Sequence, residues 1–236
     1  MWRDAPAAWV AKHLMKVADE GGPKAWRGLA VEAGVDRLLF GVTPDAALQA
    51  MFQQWDNKAQ GVADDDAVKE YEALSDFLVQ AGVAYGGRPI PLQRQHRVTL
   101  ELPGVSVPYI GYCDWLWQDC GSDLKTTWKI PGKADPAHVE QVAAYSLATG
   151  VPFDLTYVSP KRWVRYEVSR PMADAGWDRV LETALAIRSF LAHVDNAHDA
   201  LSMIAPDYDS YYFTPPMIEA VRAAKAVRVL LPGAAK

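Results

Sequence analysis

Cysteine is scarce: Cys113 and Cys120 are the only two among 236 residues. Two thiols cannot build a disulfide framework or a four-cysteine metal site, so an ordinary core must hold the chain. Long apolar runs are lacking as well. The longest, such as VRVLLPGAA near the C-terminus, fall far short of the roughly 20 residues that cross a bilayer. The N-terminal stretch MWRDAPAAWVAKH has no apolar signal core behind a basic start, so a cytoplasmic, reducing compartment is expected and no membrane partner. A cationic excess is missing too, the formal net charge being −5. That excludes a protein coated in basic surface but leaves room for a local basic groove. No internal repeat, low-complexity tract or obvious interdomain linker occurs. What is present is a globular composition, 50% hydrophobic and 22% charged, sufficient for one core or one core with a helical annex.

The first ninety residues read as helices. DAPAAWVAKHLMKVADEGG offers Asp4 as cap, Pro6 in the first turn and Gly21-Gly22 as a stop. PKAWRGLAVEAGVDRLLFG gives a second helix ending near Gly34 or Gly41, and Thr43-Pro44 opens a third that closes at Gly61. DDDAVKEYEALSDFLVQAGV reads as one helix, with Val68, Tyr71, Leu74 and Leu78 on its apolar side. After Gly86-Gly87 alternation takes over, with a strand from His96 to Leu102 and two more within Tyr109 to Lys129. DPAHVEQVAAYSLATG is the best-marked helix, with Asp135 as cap, Pro136 in the first position and Gly150 past the end. FDLTYVS and RWVRYEVS make a second hairpin, then Met172 to about Met203 and Pro216 to Leu231 return to helix. The order predicts an α/β fold: a mixed central β-sheet flanked by helices in a single domain, 1–236. Its expected parts are a helical N-terminal part (1–88), a sheet core (89–170) and C-terminal helices (171–236).

The stretch YIGYCDWLWQDCGSDLKTTWK carries charge where a half-buried strand pair has little use for it. Asp123 and Lys125 are two apart and share a face of their strand. Asp114 alternates with Ile110, Tyr112 and Leu116 on the face expected to be buried. The short connection can bring Asp114 across from Asp123, although the sequence does not fix the register. Two carboxylates in an apolar wall repel and resist ionisation, a conflict that a divalent cation relieves. A nearby lysine can orient a water or offset charge growing on phosphate. The set suits phosphodiester hydrolysis. The competing reading is a buried Asp–Lys ion pair with a second Asp capping the turn.

Taken together, G-Y-C-D, S-D-L-K-T-T and Q-V-A-A-Y-S-L-A-T-G-V-P, spanning about Gly111 to Val158, resemble the PD-(D/E)XK nuclease superfamily, in particular its RecB-like, phage-type exonuclease branch. The resemblance implies a restriction-endonuclease-like core and a Mg²⁺- or Mn²⁺-dependent deoxyribonuclease, an exonuclease of phage or bacterial DNA recombination or repair. Asp114 and Asp123 would be metal ligands and Lys125 the catalytic lysine, with Gln141 and Tyr145 matching the family's Q-x-x-x-Y motif. His138, Gln141 and Tyr145 also share one helix face by spacing. The early R-G-x-A-x-E resembles the branch's R-G/E motif, making Glu32 a third ligand and Arg27 a phosphate contact. His96 and Glu101 are rival candidates for the third ligand. DNA is the implied partner, together with a possible recombination or single-strand-binding protein. Endonuclease action, or a silent fold kept as a DNA-end or protein-binding module, are the alternatives.

Other signals carry less. Relatives with an iron–sulfur cluster need four cysteines, so none is expected, and Cys113 and Cys120 should pack as small apolar residues. His193 and His198 stand five apart on a helix, the wrong spacing for a zinc pair. Of nine tryptophans, Trp115, Trp117 or Trp128 could stack on an unpaired base.

Overall fold

The computed structural model describes residues 1–19 and 21–230, so the expected helix end at Leu231 lies outside the described residues. The chain groups into two compact units, Met1–Gly21 with Leu181–Lys236, and Gly22–Val180. The first unit contains helix α1 (Pro6–His13). Ala7, Ala8, Val10 and Ala11 pack with Ala200 and Leu201 of α8 (Ala197–Ser202) and with Met217 and Val221 of α9 (Pro215–Leu230). Small side chains let these helices approach closely. α1 starts on Ala5 without a side-chain cap and ends well before Gly21, so Asp4 does not cap it.

The second unit is built on a five-stranded sheet in sequence order. Its strands are β1 (Gln93–Leu100), β2 (Tyr109–Leu116), β3 (Gly121–Thr126), β4 (Phe153–Val158) and β5 (Trp163–Glu167). All neighbours are antiparallel except β3 and β4. A parallel pair needs a crossover, and α6 (Pro136–Thr149) supplies it, with Asp135 capping its start and left-handed Gly150 ending it. The α6 face holds Val98, Cys113, Val139, Val142, Phe153, Leu155 and Tyr157. The opposite core joins Trp115, Trp117 and Val158 to α2 (Pro23–Leu39), α3 (Pro44–Ala59) and α5 (Leu74–Tyr85). The mixed sheet flanked by helices is therefore present, as the alternation of elements requires.

Several helix boundaries differ from the expectation. α2 runs through Gly34, where a Cβ would stand 2.7 Å from Leu78, so the glycine serves close packing of α2 on α5 and not a stop. The expected helix after Asp64 breaks at Ala73 into α4 (Asp65–Glu72) and α5, leaving Val68 and Tyr71 exposed and Glu70 buried. The stretch expected as one helix from Met172 to Met203 is α7 (Arg170–Leu191) followed by α8.

One irregularity shapes the sheet. The β1–β2 ladder keeps a constant register from Gln93↔Leu116 to Leu100↔Tyr109 but omits the Gln95/Asp114 rung. Cys113 and Trp115 would share a face in an unbroken strand, yet they pack in opposite cores. The alternation of β2 therefore switches at Asp114. In consequence Ile110 and Tyr112, expected on a buried face, are 49% and 51% exposed.

Candidate active site where the sheet opens

β2 and β3 pair only through Trp115↔Ser122 and Leu116↔Gly121. Continued one step, that register would set Asp114 against Asp123. Instead the ladder stops, and the Leu124 N–H donates to Asp114 Oδ2 at 2.7 Å. A side chain has replaced the backbone acceptor, and the strands open around two buried carboxylates. Lys125 Nζ stands 2.6 Å from Asp123 Oδ2, the distance of an ion pair. Lys125 is that buried oxygen's sole partner among the described residues. The ammonium has three donors and also donates to Gln141 Oε1 at 2.8 Å.

Gln141 Nε2 in turn donates to the Tyr145 hydroxyl at 2.7 Å. The i, i+4 spacing on α6 makes that contact possible, and its polar face looks onto the opening because Val139, Val142 and Ala143 take the packed side. Gly111 is what admits Tyr145: a Cβ there would lie 2.5 Å from the Tyr145 ring. His138 Nδ1 bonds the Tyr157 hydroxyl at 2.7 Å.

The electrostatics are strained in one direction. Burial, then the charges of Asp123 and Glu32, hold the Asp114 carboxyl well above its ordinary range. Glu32, on α2, is pushed up to about 7, first by burial and then by Asp123 and Asp36, against the opposing hydrogen bond from Gln95. Burial alone would lower Lys125, but Asp123 and Asp114 outweigh it and raise its pKa. The ammonium thus stays charged at neutral pH while its surroundings carry more carboxylate than they can comfortably ionise.

The expected site residues Glu32, Asp114, Asp123, Lys125, Gln141 and Tyr145 are thus linked by hydrogen bonds or mutual charge. Among the described residues, no group of three or more His, Cys, Asp or Glu side chains is already arranged to hold a metal ion. Arg27 has a different place from the expected phosphate contact. It is 4% exposed, paired with buried Glu70, and bonded through Nε and Nη2 to the hydroxyl and carbonyl of Thr126 at 3.2 and 3.0 Å. A guanidinium so enclosed ties α2 and α4 to the end of β3 and offers no face to DNA. Trp115 and Trp117 are buried and cannot stack on a base, whereas Trp128 is part-exposed with its indole N–H on Glu70. Glu101 is exposed beyond the end of β1, and His96 pairs with Cys113 one step from Asp114. Residues the sequence did not signal are Gln95, bonded to Glu32, and Glu70, 43 positions from Arg27. A polar residue in an alternating polar strand and an acid in an acidic helix carry no mark of either partnership.

No protein-family model matches the chain, and no curated protein does. The fold, a mixed sheet flanked by helices, is shared with a solved structure. A candidate exonuclease from Eubacterium rectale is 14% identical, with 98% of this chain and 94% of that one aligned at a TM-score of 0.51. The structure of SSO0001 aligns over 67% of this chain and 81% of that one, at 16% identity and a TM-score of 0.40. The first likeness is one of fold, and the second is too slight to carry an argument.

Proposed function

We propose that this protein is a divalent-metal-dependent nuclease that hydrolyses DNA phosphodiester bonds, acting as an exonuclease in phage or bacterial recombination or repair. The observation that carries the proposal is the opening at Asp114 and Asp123, where a buried Asp123 oxygen has the Lys125 ammonium as its sole partner among the described residues beside an Asp114 carboxyl that burial holds above its ordinary range. Such a donor set fits a hard cation, which removes the conflict between buried carboxylates. Asp114 and Asp123 would hold Mg²⁺ or Mn²⁺, with Glu32 as the third carboxylate. When bound, the cation supplies charge neutralisation at phosphate oxygens and lowers the pKa of water.

The chain's own residues do the rest. Lys125, protonated because Asp123 and Asp114 raise its pKa, acts as a compact positive charge that offsets negative charge growing at phosphorus. It is no base at neutral pH. Gln141 points the ammonium through its Oε1, and the Tyr145 hydroxyl fixes the rotation of the Gln141 amide. The preference for exonuclease over endonuclease action rests on the motif resemblance, with the fold likeness to the candidate exonuclease in support.

End-labelled linear DNA and a closed circle, each incubated with Mg²⁺ and with EDTA, test the reading. Release of label from linear DNA with Mg²⁺, an intact circle, and silence in EDTA are expected. Cleavage of the circle would make the protein an endonuclease, and equal activity in EDTA would remove the metal from the account. The rival is a silent binding module, favoured by the 2.6 Å approach of Lys125 to Asp123, which gives that carboxylate a counter-charge from the protein itself. Binding of DNA ends with no cleavage under any divalent ion would establish it.

A further inference from the structure

Gln95 sits in the middle of β1 with φ +45°. Among the described residues, the other non-glycine residues with positive φ are Gln60, the C-cap of α3, and Lys16, just past α1. A helix end readily accepts a left-handed residue, whereas a strand interior does not. The distortion falls at one level of the sheet. The ladder omits Gln95/Asp114 while keeping its register on both sides, so no residue has been inserted in either strand. At the same level β2 changes face, and Asp114 takes the Leu124 N–H from β3. With its backbone turned out of the ladder, Gln95 extends its side chain, and Nε2 donates to Glu32 Oε1 on α2. Backbone held in a sparsely populated conformation persists only where surrounding structure fixes it, and such residues gather at functional sites.

We infer that Gln95 is a positioning residue: its left-handed backbone and its amide together hold the Glu32 carboxylate toward Asp114 and Asp123, so that Glu32 can serve as the third ligand. This inference rests on the proposed metal-dependent reading. The amide donates to one Glu32 oxygen and so orients the carboxylate, as partners behind metal ligands do. Loss of the amide should therefore weaken metal binding.

Gln95→Gly separates this role from a structural one, because glycine accepts φ +45° and removes only the amide. Mn²⁺ titrated calorimetrically into the DNA-free protein should bind about tenfold or more weakly to Gln95→Gly, the loss typical of a ligand's outer partner. The variant should melt at or above the parent, since the backbone strain is relieved. In a Glu32→Ala background the same change should leave Mn²⁺ affinity unaltered, because the carboxylate it orients is gone. Equal affinity of parent and Gln95→Gly, or an undiminished loss in the Glu32→Ala background, would overturn the positioning role while leaving the nuclease reading intact. A parent that binds no Mn²⁺ would overturn both.

Discussion

Two buried aspartates on adjacent strands of one sheet are treated in opposite ways. Asp154 of β4 is surrounded by donors: Ser122 Oγ at 2.5 Å, Thr156 Oγ1 at 3.0 Å and Arg88 Nη2 at 2.5 Å, with Arg165 Nε at 3.6 Å. Asp123 of β3 has the Lys125 ammonium as the one partner of its buried oxygen among the described residues. A carboxylate saturated by protein has no bonding capacity left for a ligand, so Asp154 reads as structure. One left short is tolerated only where something else completes it. The contrast teaches that burial alone does not mark a functional acid. What marks it is unfinished bonding.

The largest effects should appear where the comparison is broken on the Asp123 side. Lys125→Ala should slow single-turnover cleavage by roughly two to four orders of magnitude, and Asp123→Asn should abolish it, both with the fold retained. Lys125→Arg should rescue little, since a planar fork cannot take the place of a compact ammonium. Parent-like turnover in a Lys125→Ala protein that melts far lower would mark the lysine as a structural partner.

On the other side, Asp154→Asn should cost about 3–5 kcal/mol in denaturant unfolding, because it leaves Arg88 and Arg165 without their buried counter-charge. Asp123→Asn in metal-free buffer should cost little or nothing, because relief of repulsion with Asp114 offsets the loss of the Lys125 ion pair. Equal destabilisation by the two changes would erase the distinction between them. Gly111→Ala comes next at about 1–3 kcal/mol, because its Cβ would meet the Tyr145 ring at 2.5 Å. It should also lower turnover by disturbing the Tyr145–Gln141–Lys125 chain. Unchanged turnover would detach Tyr145 from the lysine's positioning.

A last effect, of similar size, is one of pH. Glu32 titrates near 7 in the folded protein against 4.5 ordinarily, so its folded pKa is raised. The unfolded chain releases that proton first, and metal-free stability should fall as pH rises from about 5 through 7. A loss on the order of 1–3 kcal/mol is expected after allowance for solvent screening. Glu32→Gln should flatten the profile over that window, and an unaltered slope would show that Glu32 does not feel the other carboxylates.

Much of this was legible in the sequence wherever the determinant is local. Thr43 before Pro44, and Asp135 with Gly150 around α6, are caps whose geometry depends on a few neighbouring residues. Asp123 and Lys125 share a face because a strand repeats every two residues. Asp114 was misjudged in its company, because alternation presumes an unbroken strand and β2 switches face there. Arg27 illustrates the same limit. An arginine in a helix reads as a surface cation until a glutamate 43 positions away and the end of β3 enclose it. The break at Ala73 and the return of α1 to the C-terminal helices likewise depend on tertiary packing that no window of sequence contains.

The central claim is that the Asp123 side of the sheet is left unfinished for a divalent cation. Thermal melting of the parent and Asp123→Asn, each with EDTA and with excess Mn²⁺ and no DNA, tests it most directly, since a ligand that binds only the folded state raises Tm. The account predicts that Mn²⁺ raises the Tm of the parent and leaves that of Asp123→Asn unmoved, with the EDTA form of the variant melting close to the parent. A parent indifferent to Mn²⁺, with Asp123→Asn melting well below it in EDTA, would contradict the claim and make Asp123 and Lys125 a structural pair.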